Sequence, residues 1–124
     1  MANELILIVE DNPKNLKLVR DTLQVTGYHT IETETGEEGV QLARQRRPTL
    51  ILMDIQLPGM NGIEALRELR ADPTTRAIPV IAVTASVMAQ DRQRVMAAGF
   101  DGFQGKPISV RELLATVRGL LETS

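Results

Sequence analysis

The 124-residue sequence contains no cysteine and no tryptophan, and its formal net charge is only -2. Without cysteine there can be no disulfides, thiolate metal sites or cysteine nucleophiles. The small net charge does not provide the basic surface that binds nucleic acid or an anionic membrane. Tyr28, Phe100 and Phe103 are the only aromatic residues, too few for a surface on which bases stack.

The sequence also lacks long hydrophobic runs. The apolar run at residues 5–9 is short and is followed by acids, so it predicts neither a membrane span nor a signal peptide. Hydrophobic residues make up 43% of the chain and charged residues 24%, as in soluble globular proteins. We therefore expect a cytoplasmic protein in which residues 1–124 form a single domain.

Short apolar runs alternate with helical patterns along the chain. The runs Leu5–Val9, Leu50–Met53 and Val80–Val83 show no polar alternation, which is typical of central parallel strands covered on both faces. Weaker runs occur at Tyr28–Ile31 and Gly102–Gln104. The pattern predicts an α/β fold with a doubly wound, five-stranded parallel sheet of order 2-1-3-4-5 and five helices.

Several helix ends have recognisable signals. Asn12 followed by Pro13 predicts the beginning of the first helix, and Gly27 predicts its end. The stretches Thr35–Glu38 and Ser109–Glu112 have the spacing of capping boxes. These signals separate the helices from the strands and so support the alternating order.

Polar residues follow the predicted strands. Glu10 and Asp11 follow the first strand, Asp54 the third, Thr84 the fourth and Lys106 the fifth. Each residue alone is commonly a helix cap, a strand residue or a surface side chain. Together they should converge, because the carboxyl ends of parallel strands lie at the same edge of a sheet. Ligands of such sheets bind at this edge where the winding reverses, which here is between strands 1 and 3.

Three converging carboxylates repel one another, and a divalent cation relieves that repulsion. Ligand sets made only of oxygen suit Mg²⁺, which often shares its coordination shell with a phosphate. Lys106 and Thr84 provide a positive charge and a hydroxyl donor for phosphoryl oxygens. Asp54 could itself attack phosphorus, as the carboxylate of aspartyl-phosphate enzymes does.

Four stretches of the chain resemble the motifs of one family. In order they are "LILIVEDN", "LILMDIQLPGMNG", "IPVIAVTA" and "GKPIS", and they resemble the response-regulator receiver domain of bacterial two-component signalling. The resemblance covers essentially the whole chain and is greatest to short stand-alone receivers of the cell-division type. It implies a signalling domain that assists only its own phosphorylation and dephosphorylation and does not act as an enzyme on other substrates.

The resemblance also implies partners and a metal site. Asp54 would accept a phosphoryl group from a sensor histidine kinase or a histidine phosphotransferase. Mg²⁺ would be held by Asp11 and Asp54 directly, by Glu10 through water and by the backbone carbonyl of Gln56. The phosphorylated chain, a monomer or weak dimer, would bind an output partner protein through helix 4, strand 5 and helix 5.

Further positions match the part of the family that moves. Thr84 matches the switch hydroxyl, and Phe103 occupies the switch-aromatic position without the hydroxyl of a tyrosine. Lys106 matches the lysine that pairs with the phosphoryl group, and the resemblance implies a cis peptide between Lys106 and Pro107. Gln56 and Ser86 stand where the family tunes the rate of hydrolysis.

Three alternative functions fit parts of the same pattern. A haloacid-dehalogenase-type phosphatase also uses an aspartate nucleophile, but it needs an acid two residues later, where this chain has Gln56. A flavodoxin-like protein would need phosphate donors after strand 1, where Glu10 and Asp11 would repel phosphate. A docking module that is never phosphorylated would be expected to lack Asp54, Asp11 or Lys106, and all three are present.

Overall fold

The alternation of apolar runs and helical patterns produces five strands and five helices. The computed structural model describes residues 4–85 and 89–123, except for the side chains of 89–91 and 123. The strands are β1 (Leu5–Val9), β2 (His29–Thr33), β3 (Leu50–Asp54), β4 (Val80–Thr84) and β5 (Gly102–Gly105). The helices are α1 (Pro13–Thr26), α2 (Gly36–Arg46), α3 (Gly62–Ala71), α4 (Ala89–Ala97) and α5 (Val110–Thr123).

The five strands form one parallel sheet in the order β2-β1-β3-β4-β5, which confirms the predicted topology. Successive residues of β1 belong to opposite cores. Leu7 and Val9 pack in the cluster that includes α2 and α3, whereas Ile6 and Ile8 pack in the cluster that includes α1 and α5. Burial on both faces explains why the central strands show no polar alternation, and each fully buried aliphatic side chain contributes about 1.5–3 kcal/mol.

The predicted helix signals act as caps. The Asn12 side chain accepts hydrogen bonds from the backbone N–H groups of residues 14 and 15 at the beginning of α1. Gly27 ends α1 in the left-handed conformation, with φ +109°. The hydroxyls of Thr35 and Ser109 accept hydrogen bonds from the backbone N–H groups of Glu38 and Glu112, which is one half of each predicted capping box. The Glu38 carboxylate accepts from the Thr35 hydroxyl and not from its backbone N–H. Among the described helices, none has both the length and the apolar character needed to cross a membrane.

Two local features differ from the sequence-based expectation. β2 covers His29–Thr33 rather than Tyr28–Ile31, because the register with β1 carries the pairing on to Val9 and Thr33. A complete capping box at Asn61 and Glu64 begins α3, although the sequence interpretation did not identify it. It lies directly after the turn-rich stretch that follows β3, where an asparagine is easily assigned to the turn itself.

Arg70 joins two loops at the amino-terminal edge of the sheet. Its guanidinium donates to the carbonyls of Arg76, Ile78 and Gly99 and to the Asp101 carboxylate, at 2.8–3.2 Å. The same Asp101 oxygen accepts the backbone N–H of the first residue of β4 at 2.8 Å. One side chain near the end of α3 therefore ties the loop before β4 to the loop before β5.

We expect Arg70→Met to lower the free energy of unfolding by about 2 kcal/mol, because the substitution leaves several acceptors without their donor. Urea denaturation would measure the loss. Arg67→Met is the matched control, since Arg67 is an exposed residue of the same helix and should change stability by less than about 0.5 kcal/mol. Equal losses in the two variants would contradict the role given to Arg70.

Candidate functional site

The candidate site lies at the carboxyl ends of β1 and β3, the two strands between which the winding of the sheet reverses. The register pairs Val9 with Met53, so the next residues, Glu10 and Asp54, come to the same level. Both are almost fully buried, with 3% and 2% of their surfaces exposed. The sheet thus places two carboxyl groups side by side beneath its edge.

Lys106 joins these two carboxylates. Its Nζ lies 2.9 Å from Asp54 Oδ2 and 3.2 Å from Glu10 Oε1. Burial alone would lower the pKa of the Lys106 ammonium, but the hydrogen bond and charge of Asp54, followed by those of Glu10, outweigh burial and raise the pKa. The lysine therefore remains a cation and partly compensates the two buried acids.

Asp11 brings a third carboxylate to the same point. One oxygen from each of Glu10, Asp11 and Asp54 lies within 4.8 Å of the others. Burial, together with a hydrogen bond to Asp54, raises the pKa of Glu10 to about 7. One ammonium is therefore not enough to keep all the acids ionised, and a set of three close carboxylates fits a divalent cation.

Backbone donors orient the buried carboxylates. The N–H of Gln56 donates to Asp54 Oδ1 at 2.9 Å, while the Gln56 side chain is exposed. The N–H of Asn12 donates to Glu10 Oε2 at 3.1 Å. Sequence reasoning missed both contacts, because every residue except proline carries the same backbone donor and residue identity does not indicate where it points.

The other predicted positions lie on the neighbouring strands. Thr84 is the last residue of β4 and is 3% exposed. Phe103, in β5, is half-buried, and the guanidinium of Arg92 lies 4.9 Å from the centre of its ring. The peptide between Lys106 and Pro107 is cis. Ser86 lies outside the described residues.

Comparisons with known proteins agree with this geometry. The family model described as the response regulator receiver domain matches residues 6–118. The polar-differentiation response regulator DivK of Brucella anthropi is 47% identical over 116 residues, which cover 94% of each chain.

Solved structures with the same fold include receiver domains from several bacteria. The receiver domain of the Pseudomonas aeruginosa sensor histidine kinase PA1611, solved with a magnesium ion in its active-site cleft, has a TM-score of 0.90 and 34% identity. The match covers 97% of this chain and 98% of that one. The Vibrio cholerae chemotaxis protein CheY4 has a TM-score of 0.87 and 26% identity, over 94% of this chain and 98% of that one.

The raised pKa of Glu10 predicts a pH dependence of stability in metal-free protein. The folded state keeps a proton that the unfolded chain releases above its ordinary pKa of 4.5, so stability should fall as the pH rises from 4.5 to about 7. We expect Glu10→Gln to remove about 1–2 kcal/mol of this decline.

Urea denaturation in EDTA at several pH values would measure this dependence. Glu34→Gln is the control, because the Glu34 side chain is exposed and its loss should leave the decline in place. If the Glu10→Gln profile were parallel to that of the unsubstituted protein, Glu10 would not be the group that holds the proton.

Proposed function

Because the chain belongs to the response regulator receiver domain family, we propose that Asp54 accepts a phosphoryl group from the phosphohistidine of a sensor histidine kinase or a histidine phosphotransferase. The chain is a phosphoacceptor signalling domain. The observation that supports Asp54 as the acceptor is its contact with Lys106, 2.9 Å long, beside two further carboxylates. No other described acids form such a group of three.

The same carboxylates support a Mg²⁺ site. Asp11 and Asp54 would bind the ion directly, Glu10 would bind it through water, and Gln56 would contribute its backbone carbonyl. The ion would neutralise phosphoryl oxygens while the phosphoryl group is transferred. The magnesium ion in the cleft of the Pseudomonas aeruginosa receiver domain supports this choice of metal, as does a donor set made only of oxygen.

The chain's own residues then position the acceptor. An Asp54 carboxylate oxygen forms a bond to phosphorus while the bond from phosphorus to the donor's imidazole nitrogen breaks, and the imidazole retains the electron pair. Lys106 offers its positive charge to the phosphoryl oxygens, and the Gln56 N–H holds the carboxylate. Phosphoryl transfer depends mainly on such positioning and charge stabilisation.

Phosphorylation would place about -1.5 to -2 charges on Asp54. Thr84 would move its hydroxyl toward the phosphoryl group, and Phe103 would turn into the space that Thr84 leaves. The surface of α4, β5 and α5 would then change and bind an output partner. Thr84 and Phe103 lie on the adjacent strands β4 and β5, where Phe103 pairs with Ala82 and Thr84 with Gly105. This placement, two positions apart in the register, supports the coupling.

We further propose that residues 1–124 form one receiver domain, which works in the cytoplasm as a monomer or weak dimer. It would catalyse only its own phosphorylation and dephosphorylation. Gln56 supports this distinction from aspartate-based phosphatases, because its amide cannot provide the proton that an acid would donate at that position.

Asp54→Asn should abolish the acid-labile phosphoryl adduct formed with acetyl phosphate and Mg²⁺, because an amide cannot form the acyl phosphate. Intact-protein mass spectrometry would detect the adduct by its added mass. This method needs no tryptophan fluorescence, and the chain has no tryptophan. Asp21→Asn is the control, since Asp21 pairs with Lys17 on α1 and its loss should leave the yield unchanged. Undiminished labelling of Asp54→Asn would exclude Asp54 as the acceptor.

Lys106→Ala should leave Mg²⁺ binding intact and uncouple phosphorylation from the change at β5. The phosphorylation rate should fall about 10- to 100-fold, because a charge that stabilises the phosphoryl oxygens is lost. Amide NMR spectra recorded at complete phosphorylation would measure the coupling. Lys17→Ala is the control on an exposed lysine. Shifts at residues 102–105 as large as those of the unsubstituted protein would contradict the role of Lys106.

A further inference from the structure

Gly62, the first residue of α3, lies against the backbone of Asp54. A Cβ atom built on Gly62 would be 2.5 Å from the Asp54 carbonyl oxygen and 2.8 Å from Ile55 Cα. The Gly62 N–H also donates to the Ile55 carbonyl at 3.0 Å. The first residue of α3 therefore packs against the Asp54–Ile55 peptide, so closely that a side chain at position 62 would have no space.

The contact between Gly62 and the Asp54–Ile55 peptide is connected to the Asp54 carboxylate by a short series of hydrogen bonds. The Ile55 N–H donates to the Val83 carbonyl at 2.9 Å, and the next N–H, that of Gln56, holds Asp54 Oδ1 at 2.9 Å. Residues 54–56 are thus held by β4 on one side and by Gly62 on the other. Asp54 Oδ2 then meets Lys106.

We propose that Gly62 is a positioning residue for phosphoryl transfer, whose missing side chain sets the Asp54–Ile55 peptide at the depth that directs the carboxylate toward Lys106 and the phosphoryl donor. This proposal rests on Asp54 being the acceptor. Space is the reason for glycine here, because Gly62 is a helical residue and not one of those with a left-handed backbone conformation. Alanine would otherwise favour the helix.

The size of the collision gives the expected effect. Real Cβ atoms almost never approach another heavy atom within 3.0 Å, so a methyl group at Gly62 must widen the gap between the start of α3 and the Asp54 carbonyl by about 0.5 Å. The obstructing atoms belong to the backbone and cannot turn aside as a flexible side chain would. Since a misplacement of about 1 Å can reduce a rate 100-fold, we expect Gly62→Ala to slow phosphorylation about 10- to 100-fold.

Two other glycines serve as matched controls. A Cβ on Gly36, the first residue of α2, would be 2.7 Å from the carbonyl oxygen of Met60, in the same loop but away from Asp54. Gly36→Ala therefore imposes a similar collision without contacting the acceptor. A Cβ on Gly119 in α5 would have no neighbour within 4 Å, so Gly119→Ala tests the exchange of glycine for alanine alone.

The experiment compares the unsubstituted protein with the three alanine variants. Adduct formation at saturating Mg²⁺ is followed by mass spectrometry across acetyl phosphate concentrations, and thermal unfolding is recorded for each protein. For Gly62→Ala we expect the maximal rate to fall while the half-saturating concentration stays unchanged. Gly36→Ala and Gly119→Ala should stay within about threefold of the unsubstituted rate, even if Gly36→Ala unfolds at a lower temperature.

The proposal is overturned if Gly62→Ala is phosphorylated within about threefold of the normal rate, or if Gly36→Ala is slowed as much. If Gly62→Ala does not fold, the same assay is made on the double variant Gly62→Ala/Gly119→Ala. The second substitution should restore stability, because alanine stabilises a helix interior relative to glycine. A double variant that also fails to fold overturns the proposal, since Gly62 would then serve folding. Failure of the unsubstituted protein to form any adduct would instead reject Asp54 as acceptor.

Discussion

One ammonium group between two buried carboxylates is the interaction on which the site depends. Lys106 contacts both Glu10 and Asp54, which together expose almost no surface. Burying carboxylates without compensation is costly, and even with Lys106 present the pKa of Glu10 rises to about 7. The negative charge that Lys106 leaves uncompensated suits the site to a cation. Because the cluster contains only carboxylates and no histidine or cysteine, it suits a hard cation that also binds phosphoryl oxygens.

The sheet makes this concentration of charge possible. Both faces of the central strands are covered by helices, so the strand ends are held rigidly and the carboxylates cannot move apart to reduce their repulsion. The amino-terminal and carboxyl-terminal edges of the sheet differ in function. At the amino-terminal edge Arg70 joins two loops, whereas the carboxyl edge carries the acids, Lys106 and the close contact of Gly62 with the Asp54 peptide.

Much of this arrangement could be predicted from sequence patterns. Uninterrupted apolar runs predicted the central strands, and the residues after them predicted which side chains meet at the site. The edge strand β2 was placed less accurately, because a half-exposed strand has a weaker apolar pattern and its limits depend on pairing with β1. The contacts that Arg70 and Gly62 make with backbone atoms were not predicted. The Arg70 contacts depend on backbone atoms in other loops, and the Gly62 contact depends on how closely α3 packs against the end of β3. Neither leaves a pattern in residue type.

The sequence by itself determined the order of the elements, the topology of the sheet and the membership of the receiver family, because hydrophobic periodicity and ordered motifs are properties of residue type. Only the tertiary structure decided that Lys106 contacts both Glu10 and Asp54, that the Gln56 N–H holds the Asp54 carboxylate, and that Gly62 lies against the Asp54–Ile55 peptide. These features depend on distances that must be correct to within a few tenths of an ångström, between groups that many sequences contain. Close packing sets such distances only when the whole domain has folded.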